Sequence, residues 1–232
     1  METTYIEIDS PDKHLSDVLE EIPSNVILYK TLTGIGATYS EIKAQRHSII
    51  IEPNVPVIIG KCNSAKHKND NLLGVYEGVT TDRIIKYLGA SRGKYYKILT
   101  TPESFTKVKD AFLIFNGKIY NTCFLLIDEA HKTIKDVDYR SDIVLPMNDF
   151  FKFKGKALVS ATPLKFSDPR FEENGFSIIK IEPTYDYAKE IDIKPSTNIL
   201  REVWEEFGWM PFITGQDKDR PFFIFINSVD II

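Results

Sequence analysis

Phe124 to Ile127 are four apolar residues that lead straight into Asp128-Glu129-Ala130-His131. A short apolar run ending in carboxylates reads as a strand buried on both faces, its polar end emerging at the carboxyl edge of a sheet. Open α/β sheets bind their ligands at that edge. Asp128 is placed there to hold Mg²⁺, directly or through water. Glu129, one residue on, is placed to orient or deprotonate an attacking water. An acidic pair alone would also fit a solvated turn. The full Asp-Glu-Ala-His tetrapeptide behind an apolar strand favours the chemical reading.

The same pattern recurs along the chain. Asn25 to Tyr29 reads as the first buried strand. It runs through Lys30 into Thr33-Gly34-Ile35-Gly36-Ala37-Thr38, and a helix is predicted from about Tyr39 to Gln45. Strand, glycine turn and helix are the setting of a phosphate-binding loop. The glycines let backbone N–H groups close on phosphate oxygens, and the helix N-terminus adds its positive end. Thr38 can offer its hydroxyl to Mg²⁺. The usual G-K-[ST] ending is broken, because Ala37 stands where the lysine belongs.

His47 to Glu52 is a second buried strand, closed by Pro53-Asn54, with a short apolar segment at Val57 to Gly60. Lys61 to Asp70 is basic and turn-rich and reads as a surface loop. Leu73 to Tyr76 is a short strand, and Thr80 or Thr81 caps a helix through Leu88. Tyr96 to Leu99 is another strand. It ends in Thr100-Thr101-Pro102-Glu103, where Thr101 can cap a helix and where phosphate of a nucleic acid could equally dock. Ala157 to Val159 leads into Ser160-Ala161-Thr162-Pro163, a strand ending in small hydroxyl residues. Phe176 to Glu182 is a final strand of this series. Ahead of it all, Leu15, Val18, Leu19 and Ile22 recur at helical spacing, stopped by Pro23.

Composition bounds the partners. The 232 residues carry a net charge of -4, so a nucleic-acid site would have to be a local patch. The two cysteines, Cys62 and Cys123, fall in no metal-ligand spacing and make no disulfide scaffold. The first twelve residues do not read as a signal peptide, and no apolar run approaches the roughly 20 residues that span a bilayer. No membrane partner and a cytoplasmic location are expected.

Thr-Gly-Ile-Gly-Ala-Thr (33–38), Thr-Thr-Pro-Glu (100–103), Asp-Glu-Ala-His (128–131) and Ser-Ala-Thr-Pro (160–163) stand in one order. In that order they resemble the first RecA-like domain of a superfamily 2 DEAD/DEAH-box helicase. More loosely, the chain is similar to helicase-like proteins of phages and their Bacteroides-type hosts. The resemblance implies an α/β fold, a RecA-like P-loop three-layer α/β/α domain with a mainly parallel central sheet. It implies residues 1–24 as an N-terminal lead-in, 25–183 as the ATP-binding domain, 184–197 as a linker, and 198–232 as a truncated start of a second RecA-like domain.

Carried over by position, Thr33 to Thr38 would form the phosphate loop, with ATP and Mg²⁺ as cofactors. Asp128 and Thr38 would hold the metal. Glu129 would be the base for water attack, with His131 completing the catalytic tetrapeptide. Ser160, Ala161 and Thr162 would couple nucleotide state to grip on DNA or RNA. Pro53, Asn54, Thr100, Thr101 and Pro102 would lie on the nucleic-acid face. The implied function is an ATP-dependent helicase or translocase, whose second RecA-like domain is missing or separate.

Two departures bear on this. Ala37 removes the cation that normally meets the β and γ phosphates. Lys30, at the end of the strand feeding the loop, is a candidate replacement, although a lysine at a strand end is also an ordinary surface feature. The second domain, which supplies arginine fingers in such helicases, is nearly absent. Unwinding by this chain alone is not expected. The rival reading is a catalytically inactive helicase-like binding or regulatory module. A nuclease or restriction-type motor subunit would need ligands that the sequence does not contain.

Overall fold

The computed structural model describes residues 1–32, 34–135, 145–163, 168–186 and 201. The chain divides into two units, Met1–Tyr187 and Ala188–Ile232. The expected fragment of a second domain, apart from Arg201, and most of the expected linker lie outside the described residues.

In chain order the first unit holds β1 (Thr3–Ile8), α1 (Leu15–Val18), β2 (Val26–Lys30), α2 (Ala37–Lys43), β3 (His47–Ile51) and α3 (Val55–Asn63). A 3-10 turn (Ala65–His67) precedes β4 (Leu72–Val75), α4 (Thr81–Ala90) and β5 (Lys97–Thr100). Then come α5 (Phe105–Phe115), α6 (Ile119–Thr122), β6 (Cys123–Ile127), α7 (Ala130–Lys135), α8 (Leu145–Phe150), β7 (Gly155–Ser160), α9 (Arg170–Glu173) and β8 (Ser177–Pro183).

The strands form one sheet in the order β1-β8-β2-β7-β6-β3-β5-β4, and every described pairing is parallel. Successive strand residues point to opposite faces. Ile27, Tyr29, Ile49, Ile51, Leu125 and Ile127 therefore enter one apolar layer, with Phe105, Phe112, Phe150 and Phe171 from the helices above. Val26, Leu28, Ile50, Leu126 and Val159 enter the other, with Leu15 of α1, Ile42 of α2 and Ile58 of α3. Burial on both faces is why the central strands read as unbroken apolar runs. This is the three-layer α/β/α arrangement around a parallel sheet that the sequence predicts.

The handedness of the crossovers explains which helix lies where. Connections from β1 through β2 and β3 to β4 move one way along the sheet, and their helices α1, α2 and α3 pack on one face. From β4 back through β5, β6 and β7 to β8 they move the other way, and residues of α4, α5, α6, α8 and α9 pack on the opposite face. A single crossover hand forces that switch of face. The loop after β2 and the turn after β6 consequently open toward a common crevice, the place where such sheets bind ligands.

Three elements differ from the sequence expectation. Lys61 to Asn63, read as the start of a surface loop, complete the helix α3. Thr3–Ile8, read only as part of a lead-in, is the edge strand β1 paired with β8. Half of its residues are exposed, so it lacks the apolar run that marks the inner strands. The helix expected from Leu15 to Ile22 is a single turn, because Leu19 is already extended and the chain must straighten to feed β2. Among the described residues no helix is long and apolar enough to cross a membrane.

Candidate functional site

The last residue of β2 and the first residues after β6 meet at the carboxyl edge of the sheet. Lys30, 7% exposed, extends past the end of β7, which lies between them, to reach both acidic residues. Its Nζ lies 2.9 Å from Asp128 Oδ1 and 2.7 Å from Glu129 Oε1. The Thr38 hydroxyl, in the first turn of α2, donates to the other Asp128 oxygen, Oδ2. The Glu129 backbone N–H donates to Asp128 Oδ1 at 2.9 Å. The ammonium and the hydroxyl thus share one carboxylate.

Burial alone would push the Asp128 carboxyl up. The Lys30 charge and the hydrogen bonds from Thr38 and Lys30 outweigh it, and Asp128 lies below the usual carboxylate range. Burial pulls Lys30 down, but Asp128 and Glu129 outweigh that too, so its ammonium is held above the usual lysine value. Both groups are therefore charged at neutral pH.

A second arm of the same network runs to β7. His131 Nδ1 lies 3.1 Å from Ser160 Oγ and 3.4 Å from Glu129 Oε2. Ser160 donates its only proton to the Thr162 carbonyl at 2.7 Å and accepts from the Thr162 N–H at 3.1 Å. With the Ser160 proton on the Thr162 carbonyl, the His131 tautomer protonated on Nδ1 is the one that completes the contact with Ser160. From Thr162 through Ser160, His131, Glu129, Lys30 and Asp128 to Thr38, the polar groups form one continuous chain across β7, β6 and β2.

Glu129 has φ 50°, a left-handed conformation uncommon for a residue with a side chain. It allows the backbone N–H to fold back on Asp128 while the carboxylate turns toward Lys30. Gly34 and Gly36 have φ 81° and 91°, so the loop uses the conformations that glycine alone adopts without strain. Thr33 lies outside the described residues. Ala37 is 3% exposed and its methyl belongs to the apolar layer under α2. Beside the loop, toward β8, a cleft is lined by Lys13, His14, Leu32, Ile35, Ile181 and Tyr185 among others.

Oxygen donors from Asp128 and Thr38, without nitrogen or sulfur ligands, suit Mg²⁺. Among the described residues no three His, Cys, Asp or Glu side chains are grouped so as to hold a metal by themselves. Mg²⁺ keeps several waters and takes further ligands from phosphates, so two protein oxygen donors are a workable set. The residues present fit the group.

Other expected site residues lie elsewhere on the edge. Ala161 and Thr162, both half-buried, continue from β7. Pro53 and Asn54 are half-buried at the start of α3, and the Asn54 side chain does not cap that helix. Thr100, Thr101 and Pro102 are buried. The Thr100 hydroxyl donates to the Thr101 carbonyl, and the Thr101 hydroxyl accepts from the Ser104 N–H at 3.3 Å. In this conformation the Thr100 proton and a Thr101 lone pair are used within the turn before α5, which begins only at Phe105.

One acidic residue was missed. Glu52, 3% exposed, follows β3 directly, and the Asp128 N–H donates to the preceding carbonyl, Ile51 O, at 2.9 Å. Burial first, and the Asp128 charge second, hold its carboxyl above the usual range. The signal was available, because Glu52 ends an apolar strand just as Asp128 does.

No protein-family model matches the chain, and no curated protein matches it. Solved structures similar to it include a hypothetical ATP-dependent RNA helicase from Sulfolobus tokodaii, at 17% identity over 68% of this chain and 48% of that one, TM-score 0.47. The Pyrococcus furiosus Hef helicase domain is similar at 14% identity over 74% of this chain and 38% of that one, TM-score 0.48. Mss116p, solved with ssRNA and AMP-PNP, is similar at 14% identity over 81% of this chain and 48% of that one, TM-score 0.46. The chain spans less than half the length of each. At such identities and scores the functional reading rests on the geometry of the edge.

Proposed function

We propose that this chain carries the nucleotide-hydrolysing half of a superfamily 2, DEAH-type helicase or translocase, with Mg·ATP at the β2–β6 edge and DNA or RNA as its polymer. The observation that carries the reading is the convergence of Lys30, Thr38, Asp128 and Glu129 on one point. A positive charge that normally follows the second glycine of the loop is supplied here from the strand before it. Lys30 would meet the phosphates, Asp128 and Thr38 would hold Mg²⁺, and Gly34 to Ala37 would offer backbone N–H groups. Bound there, the metal would neutralise charge on the phosphate oxygens. Glu129 would take the proton of the attacking water, steadied by His131. Ser160, joined to His131, links that step to the end of β7. The cleft at His14, Ile35 and Tyr185 is a seat for the base. A second RecA-like domain would have to close the site and complete the polymer grip.

The test is ATP binding and nucleic-acid-stimulated hydrolysis by the whole chain, compared with Lys30→Ala and Glu129→Gln. Glu129→Gln should bind nucleotide and lose turnover by about 10²-fold or more. Lys30→Ala should weaken both binding and turnover. Unchanged behaviour of Lys30→Ala would rule out the substitute-cation role.

A rival reading has its own observation. Ala37 is packed into the apolar layer, and Glu129 is held by Lys30 and His131. A module that kept this network only as structure would bind a nucleic acid or a partner without hydrolysis. Absence of any nucleotide binding by the wild-type chain would favour it.

A further inference from the structure

Glu52 is a buried carboxylate whose partners are all distant. Its Oε2 lies 3.6 Å from Lys61 Nζ, and its Oε1 lies 3.4 Å from the Asn54 N–H nitrogen and 3.5 Å from Asn54 Nδ2. Glu41, a fully buried carboxylate on α2, shows what a structural one looks like here. Arg46 Nη2 and Ser48 Oγ each lie 2.5 Å from its oxygens. An ion buried without close partners is costly, so a loosely held one at a functional edge calls for a further donor.

The position of Glu52 says which donor. Ile51 pairs with Ile127, and the Asp128 N–H bonds the Ile51 carbonyl. By the same register Glu52 stands beside Asp128, and both side chains leave the sheet on the face that carries α2 and α3. Neighbouring parallel strands are about 4.8 Å apart. Asp128 already accepts from Lys30, Thr38 and the Glu129 N–H. Glu52 retains acceptor capacity at that spot.

We propose that Glu52 is a metal-positioning residue: it accepts a hydrogen bond from water on the Mg²⁺ held by Asp128, with Lys61 and Asn54 flanking its carboxylate. This rests on the reading of Asp128 as the metal ligand. Mg²⁺ gives up its waters reluctantly, so a site with few protein ligands depends on groups that hold those waters in place. Glu52 acts on the metal through water, and its loss should be read in metal affinity before turnover.

The experiment measures Mn²⁺ binding to the nucleotide-loaded whole chain by electron paramagnetic resonance, and nucleotide affinity in EDTA by fluorescence. Glu52→Gln should lose about tenfold in Mn²⁺ affinity, the size seen when outer partners of a metal site are removed. Its nucleotide affinity in EDTA should equal that of wild type. Glu52→Asp, which keeps the charge but draws it back by one methylene, should lose less. It also serves if Glu52→Gln does not fold. Unchanged Mn²⁺ affinity in the variants overturns the proposal and leaves the nucleotide site standing. Equal losses with and without metal overturn it in favour of a packing role. If wild type takes up no Mn²⁺ with nucleotide, the metal reading of Asp128 and this proposal fall together.

Discussion

At the scale of single residues, one lysine decides the electrostatics of the edge. Among the described residues Lys30 pairs with both Asp128 and Glu129, and both it and Asp128 are almost fully buried. Removing one partner of such a pair strands the other's charge. Lys30→Met should therefore cost about 3 kcal/mol in a chelated buffer. Mg²⁺ should restore part of that, since a divalent ion can replace the lost ammonium. Urea unfolding with and without Mg²⁺ checks it, and a Mg²⁺ effect no larger than in wild type would contradict it. Glu129 gives a second prediction. Its left-handed backbone makes Glu129→Gly more stable than Glu129→Ala by about 1 kcal/mol, although neither keeps the carboxylate. Equal melting points of the two variants would show that the conformation carries no strain.

At the scale of elements, close packing sets the tolerances. Gly74 on the edge strand β4 lies under α3, and a Cβ there would come within 2.9 Å of Ile58 Cγ2 and 3.2 Å of Cys62 Sγ. Gly74→Ala should destabilise by about 1–3 kcal/mol, because neither α3 nor the strand can move freely. A denaturant midpoint at the wild-type value would refute this. Lys97 of β5 joins three elements by donating to Glu41 O at 2.7 Å, Ala44 O at 2.8 Å and Ser48 Oγ at 3.1 Å. Burial pulls its pKa from 10.5 to about 8. Between those values the unfolded chain keeps the proton that the folded chain has lost, so stability rises with pH across that window. Lys97→Met should lack that rise, and the wild-type-minus-variant difference in unfolding free energy between pH 8 and 10.5 measures it. A difference that stays flat would mean the ammonium keeps its proton in the fold.

At the scale of the whole molecule, all eight described strands, both apolar layers and every described residue of the edge network lie in Met1–Tyr187. Residues 1–187 should fold alone with a cooperative thermal transition and the near-ultraviolet dichroism of the full chain's first unit. A fragment without a transition would show that the core is incomplete. The inner strands were legible in the chain because burial on both faces favours runs of apolar residues, as in Val26–Tyr29 and Phe124–Ile127. β1 was not, since Tyr5 and its neighbours face solvent. Asp128, Glu129, Thr38 and Ser160 could be named from their places at strand ends and helix starts. The pairing of Ser160 with His131 and the nearness of Glu52 to Asp128 could not, because both depend on which strands are neighbours. By itself the sequence determined the alternation of buried strands with helices, the acidic edge and the missing loop lysine, all of which are local patterns of burial and charge. Only the tertiary structure decided what Lys30 meets: the order β2-β7-β6 puts it within reach of a carboxylate 98 residues away. That distance is fixed by the crossovers, which no local spacing encodes.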